Sequence, residues 1–290
     1  MERELWTVLA FLAKKLDHFR WRGLFTTSDI VAVYFWAVIH DRPTTWAVNP
    51  ANWPSDLRPW LPSQSTMSRR LRTPEVPQLL QVVEEYFSSL QSVACQWLRI
   101  IDGKPLSIGG NSKDGDARFG RGAGSLQKGY KLHAIWGSGP LPIAWGLAHM
   151  AVSEKTMARQ LIPTLPSGGY LLGDSEYDCT PLYDLAAKAG YQLVAEKRWR
   201  GRTGLGHRPQ SPHRLRSIEL LKRPFGRALY QVRGAIERCF GNCTSFAGGM
   251  APLPAWVRRF PRVRNWLHAK LLVNAARFSR NRWPGILANA

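Results

Sequence analysis

The chain has 290 residues, 44% of them hydrophobic, enough for one larger domain and a small appended one. Its longest strongly apolar stretch, Ile30 to Ile39, is about half of the ~20 residues a membrane-spanning helix needs, and the opening Met1-Glu2-Arg3-Glu4 lacks the pattern of a secretory signal, so a cytoplasmic protein with no membrane partner is expected. Net charge is +20 and unevenly placed: from Lys197 to Ala290, 20 Lys and Arg stand against two acids, Glu219 and Glu237.

That asymmetry predicts a polyanionic partner, because Lys and Arg on phosphates release condensed counterions. Nucleic acid fits best. A ribosomal protein or a membrane-surface binder is the alternative, and the 13 Trp and the sizeable core argue against a small ribosomal protein. The four cysteines form no CxxC pair and have no zinc-finger spacing with histidine. Cys239 and Cys243 can share a helix face, where packing is the better reading.

In chain order, residues 1 to about 85 read as helical. Ser28-Asp29 can cap a helix through Ile30, Val33 and Val38 that Pro43 ends. A Trp- and Pro-rich connection follows, and then Ser63 to Arg72, a capped polar helix ending in Arg69, Arg70 and Arg72. It reads as the recognition helix of a helix-turn-helix, its arginines on phosphates, or as an ordinary surface helix with cations at its C-terminal end. From about 95 to 196, strands alternate with helices. Trp97 to Asp102 is a strand ending in a carboxylate; Gly103 to Gly129 is Gly-rich and charged, and reads as a loop. Tyr130–Trp136 and Leu141–His149 read as a hairpin, Ser153–Leu165 as a helix, and Tyr170–Asp174 as a short buried strand that also ends in a carboxylate. Tyr177–Ala189 is a helix and Tyr191–Ala195 a strand. After a basic loop, 197–214, come three expected helices, over about 215–221, 228–246 and 255–277.

Chemistry concentrates at the two strand ends. A charge at a buried strand end is costly unless it is paired or holds a metal, and neighbouring strand ends of an α/β sheet converge in space. Asp102 and Asp174 can therefore meet. A two-metal centre needs a third acid, and the helix bearing Tyr230, Arg233 and Glu237 offers one, since at 100° per residue these three share a stripe. Val232, Ile236, Cys239 and Cys243 form the apolar stripe that packs it. On pattern alone Glu237 is equally a metal ligand or a surface acid, and Glu196 is a rival. Asp178 and Glu176 stand close to Asp174, and Asp178 reads as a cap of the next helix. Trp199, between Arg198 and Arg200, can stack on an unpaired base or cover a core edge. Arg118, Arg121, Lys128 and Lys131 flank the acids and meet phosphates or form a solvated loop face. Mg2+ prefers hard oxygen ligands, and two such ions about 4 Å apart suit phosphodiester displacement.

In order, Ile101-Asp102-Gly103-Lys104, Lys128-Gly-Tyr-Lys-Leu-His133, Asp174-Ser-Glu-Tyr-Asp178 and Tyr230-x2-Arg233-x3-Glu237 resemble DDE-type insertion-sequence transposases over about residues 95 to 280. The resemblance implies an α/β fold: an RNase H-like mixed sheet flanked by helices (91–290, with the basic loop and a helical C-terminus) after a small all-helical domain (1–90) that binds DNA ends. It implies that Asp102, Asp174 and Glu237 bind two Mg2+ ions, with Mn2+ as a substitute, and that Tyr230 and Arg233 touch the transposon end. Partners would be terminal inverted repeats and target DNA, with a homodimer on DNA, in the bacterial cytoplasm at the nucleoid. The implied activity is cutting of transposon ends and transfer of the 3′-hydroxyl. A DNA-binding regulator without catalysis, and a nuclease that never joins, are the alternatives. One position departs from the family pattern: seven residues after Glu237, where a Lys is usual, stands Thr244.

Overall fold

The computed structural model describes residues 1–90, 97–122, 124–166, 168–198, 205, 209–244, 250 and 252–288. Five helices come first: α1 (Glu2–Leu16), α2 (Thr27–Ile39), α3 (Thr44–Ala47), α4 (Gln64–Arg70) and α5 (Glu75–Ser89). The sheet and its helices follow as β1 (Leu98–Ser107), β2 (Arg118–Arg121), β3 (Leu126–Trp136), β4 (Pro142–His149), α6 (Glu154–Leu161), β5 (Gly169–Gly173), α7 (Thr180–Lys188) and β6 (Tyr191–Ala195). The chain closes with α8 (Pro212–Lys222), α9 (Pro224–Gln231), α10 (Ala235–Thr244), α11 (Phe260–Phe278) and α12 (Trp283–Ala288).

Two compact units result: Met1–Gln91 with Asn242–Ala290, and Ser92–Gly241. The sequence reading divides the chain once, near residue 90, and so does not contain the return of the C-terminal stretch to the helical unit. The cause is in α11, whose residues from Val263 to Ala276 are almost all buried, including Trp266, Leu267, Leu271 and Leu272. Burial extends around the helix, taking in the polar Asn265, His268, Lys270 and Asn274 as well, and α1, α2 and α5 supply that enclosure. In the same unit, α2 opens on a capping box in which the Thr26 side chain accepts the Asp29 N–H and Asp29 accepts the Thr26 N–H.

In the sheet unit, β1 pairs antiparallel with β3, and β3 with β4, while β5 lies parallel to β1 and β6 parallel to β5. The short β2 pairs with the first residues of β3. The Gly103–Gly129 stretch is therefore less of a loop than its composition predicts. β1 continues to Ser107 because β3 takes up its backbone groups, and Arg118–Arg121 adds a strand. An antiparallel meander extended by two parallel strands, with helices on the sheet, is the RNase H-like arrangement. One face is sealed by Ile101, Ile135, Leu161, Leu171, Tyr177, Leu182 and Tyr183. At Trp136, β3 meets Phe240 of α10 edge-on at 6.0 Å.

Candidate metal centre

Register places the two aspartates. In the parallel pair, Ile100 stands opposite Leu172. Two residues further along the chain are Asp102, still in β1, and Asp174, just past the end of β5, where the backbone is still extended. Ligand oxygens of Asp102, Asp174 and Glu154 all lie within 4.8 Å of one another. Glu154 comes from the first turn of α6, which Ser153 caps through the Thr156 N–H.

Each carboxylate has one oxygen tied down. Asp102 Oδ1 accepts the Gly103 N–H at 2.7 Å, Asp174 Oδ1 accepts the Glu176 N–H at 2.8 Å, and Glu154 Oε1 accepts Lys131 Nζ at 3.0 Å. Glu154 Oε2 is buried without a hydrogen bond. Gly103 has little room for a side chain, since a Cβ there would lie 3.0 Å from Lys131 Cδ and 3.3 Å from Glu154 Oε1.

Electrostatics mark the cluster as incomplete. Burial, then the neighbouring Glu154 and Asp174, push the Asp102 carboxyl up to about 7, against the opposing pull of the Gly103 N–H and Arg233. Burial also raises Glu154, opposed by Lys131. The Tyr177 hydroxyl lies buried close to all three acids; burial first, and then their charges, push its ionisation well above the ordinary range. Oxygen-only donors, a strained charge balance and uncommitted oxygens suit a hard divalent cation. Asp102, Asp174 and Glu154 are the residues positioned to hold one.

The signature helix approaches this cluster. Tyr230 donates its hydroxyl to the Gly173 carbonyl at 3.1 Å, next to Asp174, and Arg233 lies 5.8 Å from the Tyr230 ring centroid. Glu237 is exposed and is not among the acids that meet within 4.8 Å. A 3-10 turn, Val232–Gly234, separates α9 from α10. Its tighter winding adds roughly 20° per residue to the helical 100°, so Glu237 does not keep the stripe of Tyr230 and Arg233. Val232, on the expected packing stripe, is also exposed, while Ile236 and Cys243 are buried.

The remaining expected residues divide by burial. Arg118 and Arg121 are exposed on β2 and Arg69 on α4. Lys128 reaches the Ser112 carbonyl, and Lys131 is buried against Glu154. Arg198 lies 3.5 Å from Glu176. Arg70 departs from its expected place on the DNA-facing surface. It is 2% exposed, donates to the Phe25 carbonyl and Thr27 Oγ1, and stacks 3.4 Å from the Trp21 ring. Trp199 and Arg200 lie outside the described residues, as does the side chain of Thr244. Asp178 is not the expected cap: Cys179 is the N-cap of α7, and Asp178 takes two hydrogen bonds from Arg214, both 2.7 Å, and the Arg198 N–H. Burial would raise its carboxyl, but these bonds outweigh that and hold it below its ordinary range.

Sequence reasoning missed Glu154. Its only signal was an acid in a capped first turn, which a helix dipole explains equally well. Missing too was the consequence of Met67, fully buried, standing three residues before Arg70 on the same helix face.

A mixed sheet of this order, with a carboxylate in the middle of β1 converging on one just past the end of β5, defines an RNase H-like protein with an acidic metal centre. The match to the transposase DDE domain covers residues 93–273, well over half of the chain, and the chain belongs to that family. It is thus a transposase, of a class that binds DNA and depends on a divalent metal. Comparisons with curated proteins and with solved structures gave no match. Among the described residues no helix is long and apolar enough to cross a membrane.

Proposed function

We propose that the protein cuts transposon ends and transfers the freed 3′-hydroxyl into target DNA, with Asp102 and Asp174 as ligands of two Mg2+ ions and with Glu237, exposed and apart from them in the DNA-free chain, joining them when DNA is bound. What carries this reading is the side-by-side placement of Asp102 and Asp174 beside a helix bearing the Tyr230-x2-Arg233-x3-Glu237 spacing. When bound, a pair of divalent ions activates an attacking oxygen and stabilises a leaving one. The chain's own residues set the stage. Backbone N–H groups fix one oxygen of each aspartate, and Tyr230 ties the signature helix to the strand end. Lys131 holds Glu154 so that this acid positions the cluster. Arg233 is close enough to act on Asp102 and offers a cation to a scissile phosphate.

DNA-binding roles go to Arg69, Arg118, Arg121, Lys128 and Arg198, with Trp199 and Arg200 of the basic loop. Two DNA ends handled together call for a homodimer on DNA. The experiment is incubation of the full chain with labelled duplexes taken from the DNA that flanks its gene on either side, with Mg2+. Nicked and joined products are expected, and Asp102→Asn or Asp174→Asn should remove both while leaving DNA bound. Nicking without joining would reduce the protein to a nuclease, and binding without nicking to a regulator.

A further inference from the structure

The helical unit contains a cavity of about 280 Å³ that the metal chemistry does not use. That is near the lower end of the roughly 300–1,000 Å³ range of small-ligand pockets. It lies between α2, α4 and α11, and its wall includes Tyr34, Arg42, Gln64, Arg72, Trp256 and Arg262.

Three features give it a ligand class. Three arginines, Arg42, Arg72 and Arg262, all exposed, stand at its wall, and no acid lines it. Neither Arg42 nor Arg262 has an acid partner among the described residues, and Arg72 bonds only the Ser68 hydroxyl, at 3.0 Å. A wall with three cations and no acid sets up a positive local potential that favours an anionic ligand. The second feature is Trp256 at the wall, 40% exposed. An indole left partly in water beside a cationic hollow is a stacking platform for a flat ring. Third, Gln64 offers both a donor and an acceptor, the groups that read the edge of a base.

We propose that this cavity takes one unstacked nucleotide of a DNA strand, its base against Trp256 and its phosphate on Arg42 and Arg262. The proposal rests on the DNA binding of this family and not on the acids of the sheet unit. A free mononucleotide offers the same chemistry, and the test separates the two sources.

The test uses the full chain without metal, a fluorescent oligo-dT strand of ~20 nucleotides, a duplex of equal length, and dTMP, read by anisotropy. Trp256→Ala should weaken strand binding about tenfold, and Trp256→Phe, which keeps a flat face, should restore most of it. Arg262→Ala and Arg42→Ala should weaken strand binding and flatten its salt dependence. Duplex binding should change much less, and dTMP should compete only at far higher concentration than the strand. Thermal melting checks that each variant is folded. Wild-type strand affinity in Trp256→Ala and Arg262→Ala would overturn the proposal, as would equal losses for strand and duplex. Tight dTMP binding with unchanged strand affinity would assign the cavity to a free nucleotide and overturn it too. Because no metal is present, failure of the cutting chemistry leaves this result standing, and failure here leaves the metal centre untouched.

Discussion

In the helical unit, buried ionisable groups stand next to partners that take up their charge or their hydrogen bonds. Lys270 Nζ is 3.6 Å from Asp41, His268 Nε2 is 2.5 Å from Glu84, and Arg70 is shared among a carbonyl, a hydroxyl and an indole face. In the sheet unit, three carboxylates converge, with one lysine bonded to one of them and Arg233 further off. Paired burial of this kind is structural: the attraction roughly repays desolvation, and the pair persists because breaking it is costly. Convergent like charges have no such return within the protein. They persist where a ligand of opposite charge completes them.

The sharpest way to break this contrast is to remove acids singly and read DNA cleavage. Glu237→Gln should cost on the order of a thousandfold, as loss of a direct ligand removes several kcal/mol of transition-state stabilisation. Glu154→Gln should cost less, about ten- to a hundredfold, as expected of a group that orients ligands. The reverse order would make Glu154 the third ligand.

Stability should respond with opposite signs in the two units. Glu84→Ala removes the carboxylate 2.5 Å from the buried His268 and should cost about 3 kcal/mol, read as a lower urea midpoint. Asp102→Asn, in metal-free protein at pH 7.5, should raise the midpoint. Burial lifts the folded-state Asp102 carboxyl from its ordinary 3.8 to about 7. Between these values the folded chain keeps a proton that the unfolded chain has released. The stability from this group is therefore fully present below pH 4 and is lost as pH rises through 7. Subtracting the Asp102→Asn profile from the wild-type profile isolates this effect. A difference independent of pH would contradict the unbalanced cluster.

The smallest expected effect separates adjacent arginines. Arg69→Ala should weaken DNA binding modestly and lower its salt slope by about one, with melting unchanged. Arg70→Ala should lower melting.

How much of this was legible follows from the range of the interactions. Asp102 and Asp174 could be read because each closes an apolar run of sequence, and the parallel register of β1 and β5 brings them together even though β1 continues to Ser107. The Tyr230–Arg233 approach to that edge was legible from helical spacing. Glu237 facing water was not, because the 3-10 turn at Val232–Gly234 has no distinct residue signal. Residues 103–107 looked like loop since glycine, lysine and proline are poor strand formers, and only pairing with β3 makes them a strand. The return of α11 to the N-terminal helices is a contact between distant segments. Its length was legible, but Asn265, His268, Lys270 and Asn274 gave no sign that it would be buried.

The central claim is that the cluster formed by Asp102 of β1, Asp174 after β5 and Glu154 of α6 exists to hold divalent cations. Calorimetric titration of Mn2+ into the DNA-free chain, beside Asp102→Asn and Asp174→Asn, tests it most directly. Saturable binding that strengthens as pH rises through about 7, and that both substitutions abolish, is the expected result. Undiminished Mn2+ affinity in either variant would contradict it.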